Sequence, residues 1–267
     1  LVRRAEELGY HSAWYGESWG YDAFTTLAEA ACHTSTIALG THVATVFSRT
    51  PAMMAQSAAS LDAISNGRLI LGLGTSGPLV VRNWHGVEWT RPLRRTREYV
   101  EILRLVLSGE RVDYEGELFR LHGFRLRLKP VRPGVPVMIA SIGPRNVELT
   151  GEIADGWLPL YYSPWRPEVY ADQIAHRKDG FEISVSVSLT VTDDVESGLL
   201  PVRTSLAFYI GGMGAKGQNF HTRLMSRMGF EEEALRIQDL FLDGRRDEAI
   251  AAVPADFADE ISLVGPP

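Results

Sequence analysis

Three short stretches hold the residues best suited to chemistry. Gly72-Leu73-Gly74-Thr75-Ser76-Gly77-Pro78 follows the apolar run Leu69–Leu73. It matches G-x-G-x-x-G, the spacing with which a strand hands a dinucleotide pyrophosphate to a helix. Two tests of that reading fail. The fingerprint must open a helix whose amides hold the pyrophosphate, yet Pro78 follows at once and the next strong helical pattern begins near Arg94. The acidic residue expected about 20 residues on, at the end of the next strand, is also missing, because that region is helix-patterned. Two readings remain: a glycine-lined loop at the top of a barrel strand, where a planar ring can approach the backbone, and a plain tight turn.

Ser141-Ile142-Gly143-Pro144-Arg145-Asn146 leaves the strand-like Val137–Ala140 and enters a helix. Amides at a helix N-terminus favour phosphate, and Ser141, Arg145 and Asn146 add donors. Simple capping by Ser141 is the competing account. In Phe47-Ser48-Arg49-Thr50-Pro51, Thr50 explains a helix cap but leaves Ser48 and Arg49 without a reason. The histidines (His11, His33, His42, His85, His122, His176 and His221) form no HxxH or HExxH pair. A dedicated metal site is therefore not expected.

The elements that must position these stretches alternate. Leu1–Gly9 reads as an amphipathic helix rather than a secretory leader. Strands are expected at Ser12–Tyr15, Ile37–Val46, Leu69–Leu73, Val137–Ala140, Trp157–Tyr161 and Ile183–Val191. Helices are expected at Asp22–Cys32, Ala52–Ile64 behind Pro51, Arg94–Leu107, Pro144–Ile153 and Pro167–His176. The remainder is helical: Pro201–Tyr209, Phe220–Met228, Glu231–Leu242 and Arg246–Val253. Repeated βα units imply a parallel sheet covered or closed by helices. One domain over residues 1–267 is the simplest account, with a hairpin-like insertion near 112–132 and a helical region near 196–253. Six strands fall two short of a (β/α)₈ barrel. The helix-first start implies a first strand lost before Leu1. Ile261–Pro267 stops where another helix and the last strand would follow, and the short joint His176–Gly180 is where a segment could be omitted.

Composition narrows the class. The 267 residues carry a formal charge of −6 and show no basic stripe, so a nucleic-acid partner is not expected. With 45% apolar and 22% charged residues, disorder, collagen and a whole-chain coiled coil are excluded. The one cysteine, Cys32, excludes an internal disulfide framework and points to a reducing, cytoplasmic compartment. No apolar run is long enough to expect a membrane span.

Taken in order, Leu39-Gly40-Thr41-His42-Val43, Ser48-Arg49-Thr50-Pro51, Leu61-Asp62-x-x-Ser65-x-Gly67-Arg68 and the glycine loop resemble the bacterial luciferase-like monooxygenase superfamily. Trp84-His85-Gly86, Arg95-Thr96-Arg97-Glu98-Tyr99, Ile153-Ala154-Asp155-Gly156-Trp157, and Gly211-Gly212-Met213-Gly214 followed by Asn219-Phe220 strengthen the likeness. Each motif alone is weak; their order and spacing are specific. The chain is most similar to the coenzyme F420-dependent oxidoreductases, of the kind of methylenetetrahydromethanopterin reductase.

The resemblance implies a (β/α)₈ barrel with a deazaflavin ring in the mouth at the C-terminal strand ends. It implies a bulge with a non-prolyl cis peptide at Gly40-Thr41-His42, the ring over that strand, Leu73, Thr75, Ser76 and Gly77 beside it, and phosphate held by Ser141–Asn146. It places an acid, Glu17, on the substrate side as the catalytic residue. Partial burial there would disfavour the charged form of such a carboxylate and suit it to proton transfer beside a hydride step. Ser18 stands where relatives carry a histidine, and Gly77 where some branches carry an acid, so a histidine-dependent mechanism does not transfer. The implied activity is hydride transfer between reduced F420 and a small-molecule substrate, by a homodimer. An FMN-dependent monooxygenase on the same fold is the close alternative, and a non-catalytic flavin-binding protein the alternative from another class.

Overall fold

The computed structural model describes residues 1–214 and 216–267. They form two compact units. The first comprises Leu1–Ser141, Glu148–Leu158 and His176–Ile183; the second comprises Ile142–Val147, Pro159–Ala175 and Ser184–Pro267.

The chain runs α1 (Val2–Glu7), β1 (Ser12–Tyr15), α2 (Ala23–Cys32), β2 (Ala38–Thr41), β3 (Ala44–Thr45), α3 (Pro51–Ile64) and β4 (Leu69–Gly74). Then come α4 (Pro78–Asn83), α5 (Pro92–Leu107), the hairpin β5 (Val112–Glu115) and β6 (Arg120–Phe124), and β7 (Val137–Ala140). After α6 (Pro144–Ile153) follow β8 (Gly156–Trp157), α7 (Glu168–Ala171) and β9 (Glu182–Ile183). β1, β2, β4, β7, β8 and β9 lie side by side in that order, each parallel to the next. Spatial order follows chain order, as in the wall of a barrel; a doubly wound sheet reverses at its switch point.

This sheet is buried because its strands are apolar along their length, as parallel strands covered on both faces must be. Leu39, Leu69, Leu71, Leu73, Val137, Ile139 and Trp157 are all buried. α3 covers it with a face of Met54, Ala55, Ala58, Ala59 and Leu61, spaced one helical turn apart. Its start is fixed twice: Pro51 occupies the first turn, where its missing N–H costs nothing, and the Thr50 hydroxyl accepts Met53 N–H at 3.2 Å. The 112–132 stretch is an antiparallel hairpin. The buried Glu98 carboxylate accepts the turn amides of Glu117, Leu118 and Phe119 at 2.9–3.1 Å and so docks the hairpin on α5.

Several expectations need correction. Ile37–Val46 is two strands, because Gly40 faces Ile70 while Ala44 faces Leu73. Four steps on one chain against three on its neighbour make a β-bulge. The His42–Val43 peptide is cis, at the last residue of the stretch where the resemblance expects it. Pro78 does not stop the chain from becoming helical: extended Gly77 caps α4 and Pro78 takes its first turn. The glycine loop therefore does open a short helix, but the unreversed sheet order still excludes the dinucleotide fold. Trp157–Tyr161 shortens to β8, and Pro167–His176 shortens to α7.

In the second unit β10 (Ser188–Val191) pairs in parallel with β11 (Ser262–Gly265). Hence Ile183–Val191 divides between β9 and β10, which lie in different sheets. The remaining helices are α8 (Val195–Gly212), α9 (Phe220–Arg227), α10 (Glu231–Leu242), α11 (Arg246–Ala251) and α12 (Ala255–Glu260). α8 starts six residues before Pro201, at an Asp194 cap that accepts Ser197 N–H at 3.1 Å. The C-terminal stretch thus holds a helix and a strand, α12 and β11, that the sequence pattern did not yield. Gly198 lets β11 approach α8: a Cβ there would lie 2.6 Å from Val264.

Candidate active site at the C-terminal strand ends

In the first unit the parallel strands deliver the segments after Tyr15, Thr41, Thr45, Gly74 and Ala140 to one edge of the sheet. Glu17 sits there, and it is not an open carboxylate. Arg49 grips it with two bonds, Nη1 to Oε2 at 2.6 Å and Nη2 to Oε1 at 2.7 Å. The same guanidinium reaches Asp22, the N-cap of α2. It also lies 5.0 Å from the centre of the Phe24 ring. Tyr99, fully buried, donates its hydroxyl to the Arg49 carbonyl at 3.0 Å. The bond to Glu17 raises the Arg49 pKa further, so the cation is permanent. Glu17 is thus largely buried, as expected, and its carboxylate is held by a bidentate cation.

His42 lies at the bulge. Its amide donates to the Tyr15 carbonyl at 2.8 Å, and its ring stands edge-on to Trp14 at 6.1 Å. Its Nε2 is buried with no partner among the described residues. Burial pushes the imidazole below its ordinary pKa, so the neutral ring is favoured. A buried polar atom without a partner is uncommon and calls for an explanation.

Other expected contacts are used up inside the sheet. Gly40 is needed for Trp14, whose ring would be 2.1 Å from a Cβ there. The fully buried Thr41 exchanges two bonds with Gly72, donating to its carbonyl at 2.7 Å and accepting its N–H at 2.9 Å. Gly72 itself admits no side chain, since a Cβ would lie 1.9 Å from the Thr41 carbonyl oxygen. Leu73 is core. Beyond the strand, Thr75 is half-buried, Ser76 is exposed in the left-handed region at φ 54°, and Gly77 is half-buried.

The stretch after β7 divides. Ser141, buried, shares a 2.8 Å hydroxyl–hydroxyl bond with Thr150 of α6, and its carbonyl accepts the Trp157 indole N–H at 3.0 Å. Within the second unit, the Gly143 carbonyl accepts the amides of Asn146 and Val147 at 2.9 and 3.0 Å. The Ile142 carbonyl accepts Arg227 Nη2 at 3.2 Å. Pro144 and Arg145 are exposed, and Asn146 is half-buried. Residues 142–147 thus turn two carbonyls toward protein donors.

Sequence reasoning missed Trp89 and Arg95. Trp89 stacks on Phe47, and the Arg95 guanidinium lies 4.7 Å from the Phe47 ring centre and 5.0 Å from that of Phe119. Trp89 Nε1 and Arg95 Nε are buried without partners among the described residues. The signal was present in Arg95-Thr96-Arg97-Glu98-Tyr99, which fitted the resemblance without having a role attached. No group of three metal-ligating side chains occurs among the described residues.

Comparison with known proteins agrees with this architecture. The model of the luciferase-like monooxygenase family matches residues 1–267. A Mycobacterium tuberculosis protein provisionally named a coenzyme F420-dependent oxidoreductase is 40% identical over 286 aligned positions, covering 99% of this chain and 82% of that protein. The 5,10-methylenetetrahydromethanopterin reductase of Archaeoglobus fulgidus is 28% identical, covering 100% of this chain and 81% of its own. The structure of the coenzyme F420-dependent tetrahydromethanopterin reductase from Methanopyrus kandleri superposes with a TM-score of 0.82 at 24% identity, over 99% of this chain and 82% of that one.

Proposed function

We propose that this chain, which belongs to the luciferase-like monooxygenase family and is an oxidoreductase, uses coenzyme F420 to move hydride to or from a small organic substrate. The observation that carries the reading is the buried, partnerless Nε2 of His42 beside the strand bulge. It is one polar contact waiting at the edge where the strand ends converge, and it fits a heteroaromatic ring with polar margins. The 40% identical relative bears F420 in its name. When bound, the deazaflavin supplies the hydride chemistry, and the protein supplies binding and orientation.

His42 would meet the ring's polar edge, with Thr75, Ser76 and Gly77 bordering it. The Ser141–Asn146 stretch would hold the phosphate through its amides other than the Asn146 N–H, which the Gly143 carbonyl already takes. Glu17 lies on the substrate side, and its bidentate bond to Arg49 fixes where its oxygens stand. Buried Phe47, with the half-buried Trp89 and Arg95 against it, gives that edge an aromatic wall. A complete (β/α)₈ barrel, a homodimer and a cytoplasmic setting belong to the same reading.

Spectral titration tests it. Purified protein should bind F420 saturably, with the violet deazaflavin band shifted and about one equivalent bound per chain. Preferential binding of FMN, with its two yellow bands, would overturn the deazaflavin assignment in favour of an FMN enzyme. Binding of neither would overturn both.

A further inference from the structure

The opposite edge of the sheet carries a feature that hydride transfer does not use. The expectation of no basic stripe needs correction at one place: residues 118–147 contain six Lys and Arg residues and no Asp or Glu, in a chain whose formal charge is −6. Four of those cations, Arg125, Arg127, Lys129 and Arg132, line one cavity of about 770 Å³ in the first unit, together with Leu126 and Leu128. The cavity lies at the N-terminal end of the strands. Arg132 bonds Asp62 at 2.7 and 3.1 Å and also donates to the carbonyl of Leu69, the first residue of β4. In barrel enzymes this is the end that does not carry the chemistry.

Two of the four cations have structural work. Arg132 neutralises the buried Asp62, and Arg125 Nε donates to the Gly109 carbonyl just past α5. Arg127 and Lys129 have neither: among the described residues no carboxylate lies within ion-pairing distance of them. Their charges line the same hollow as an apolar wall. We propose that this groove binds a multivalent organic phosphate at a site separate from the cofactor's. The volume suits a molecule the size of a nucleoside diphosphate, since ligand sites run to about 300–1,000 Å³. The cations match two or more negative charges, and arginine forks favour phosphate geometry. Leu126 and Leu128 offer an apolar surface for the organic part.

Calorimetric titration with ADP at physiological salt tests this, with adenosine and inorganic tripolyphosphate as the partial probes. The expected result is saturable ADP binding, at least tenfold weaker binding of each partial probe, and at least tenfold loss in the double variant Arg127→Ala/Lys129→Ala. Arg120→Ala, outside the cavity, should leave binding unchanged, and thermal melting of all variants should match the wild type. Saturating F420 should not compete. ADP binding that survives the double substitution, or that F420 displaces, overturns the proposal, as does the absence of saturable binding. Tripolyphosphate binding as tightly as ADP overturns the role of the apolar wall. None of these readouts needs F420 chemistry, so the groove and the proposed activity can fail independently.

Discussion

At the N-terminal edge of the sheet, Arg68 gives every part of its guanidinium to the protein. It donates to the carbonyls of Ser65, Ile37, Ala31 and Thr34 and to the Thr34 hydroxyl at 2.7–3.2 Å. At the C-terminal edge, Arg95 lies against two ring faces and its Nε meets nothing among the described residues. The pattern repeats. On the N-terminal side Asp62 is closed by Arg132 and Leu69 N–H, Asp155 by Val137 N–H, Arg104 and Lys178, and Glu6 by three amides. On the other side His42, Trp89 and Arg95 each keep a buried polar atom unmet. Buried polar groups are normally satisfied, because leaving one unmade costs about 1–3 kcal/mol. The groups set into the protein at one edge are thus saturated for stability, leaving only the exposed Arg127 and Lys129 uncommitted there, while at the other edge buried polar atoms are left unmet.

The saturated edge should be the more fragile to substitution. Asp62→Ala leaves a half-buried Arg132 beside an emptied pocket and should cost about 3–5 kcal/mol in denaturant unfolding, as removing one partner of a buried pair does. F420 affinity per folded molecule should not change. A loss under 1 kcal/mol would break the contrast. Inside the sheet, between the two edges, Gly72→Ala forces a Cβ against the Thr41 carbonyl, backbone on backbone, and should destabilise by about 3 kcal/mol.

At the open edge, substitutions should strike function before stability. Glu17→Gln weakens the grip on Arg49 and should lower turnover by roughly 10²-fold, with F420 affinity within a few-fold of the wild type. Unchanged turnover would remove Glu17 from the mechanism and leave the fold assignment standing.

Acidity separates the edges with the smallest effect. The amides of Ile37, Thr36 and Ser35 hold the Glu6 carboxyl down at about 2 against an ordinary 4.5. Its contribution is complete above pH 4.5 and is lost as pH falls through about 2. Burial pushes His42 below its ordinary 6.5, so its contribution is complete above pH 6.5 and erodes as pH falls below that. Hydrogen exchange should therefore show amides near Val46 losing protection at milder acidity than those near Ile37. Simultaneous loss would contradict the assignment.

Much of the fold was legible because its signals are local. Pro51 behind Thr50 marks α3, and the unbroken Leu69–Leu73 marks a strand buried on both faces. The misses have physical causes. A bulge leaves the β-branched run Ile37–Val46 looking continuous, because propensity does not register one extra residue against a neighbour. Pro78 can end one element or begin another, and only the extended backbone of Gly77 decides. α8 passes through Pro201 because the Asp194 cap and buried Leu199, Val202 and Leu206 outweigh one lost hydrogen bond. Of the candidate site, Glu17 and His42 were found through resemblance alone. The Glu17–Arg49 bond spans 32 residues of chain, and no spacing announces it. The glycines look like open space in the sequence, whereas Trp14 and the Thr41 carbonyl occupy what Gly40 and Gly72 leave free.

The central claim is that the unmet Nε2 of His42 awaits the cofactor ring. Equilibrium titration of F420 fluorescence with wild type and His42→Phe tests it directly. Phenylalanine keeps a ring packed on Trp14 and removes both imidazole nitrogens, the unmet Nε2 among them. The account predicts saturable binding by the wild type and at least tenfold weaker binding by His42→Phe, with a melting midpoint no lower than the wild type's. Equal affinity in the two proteins would contradict it.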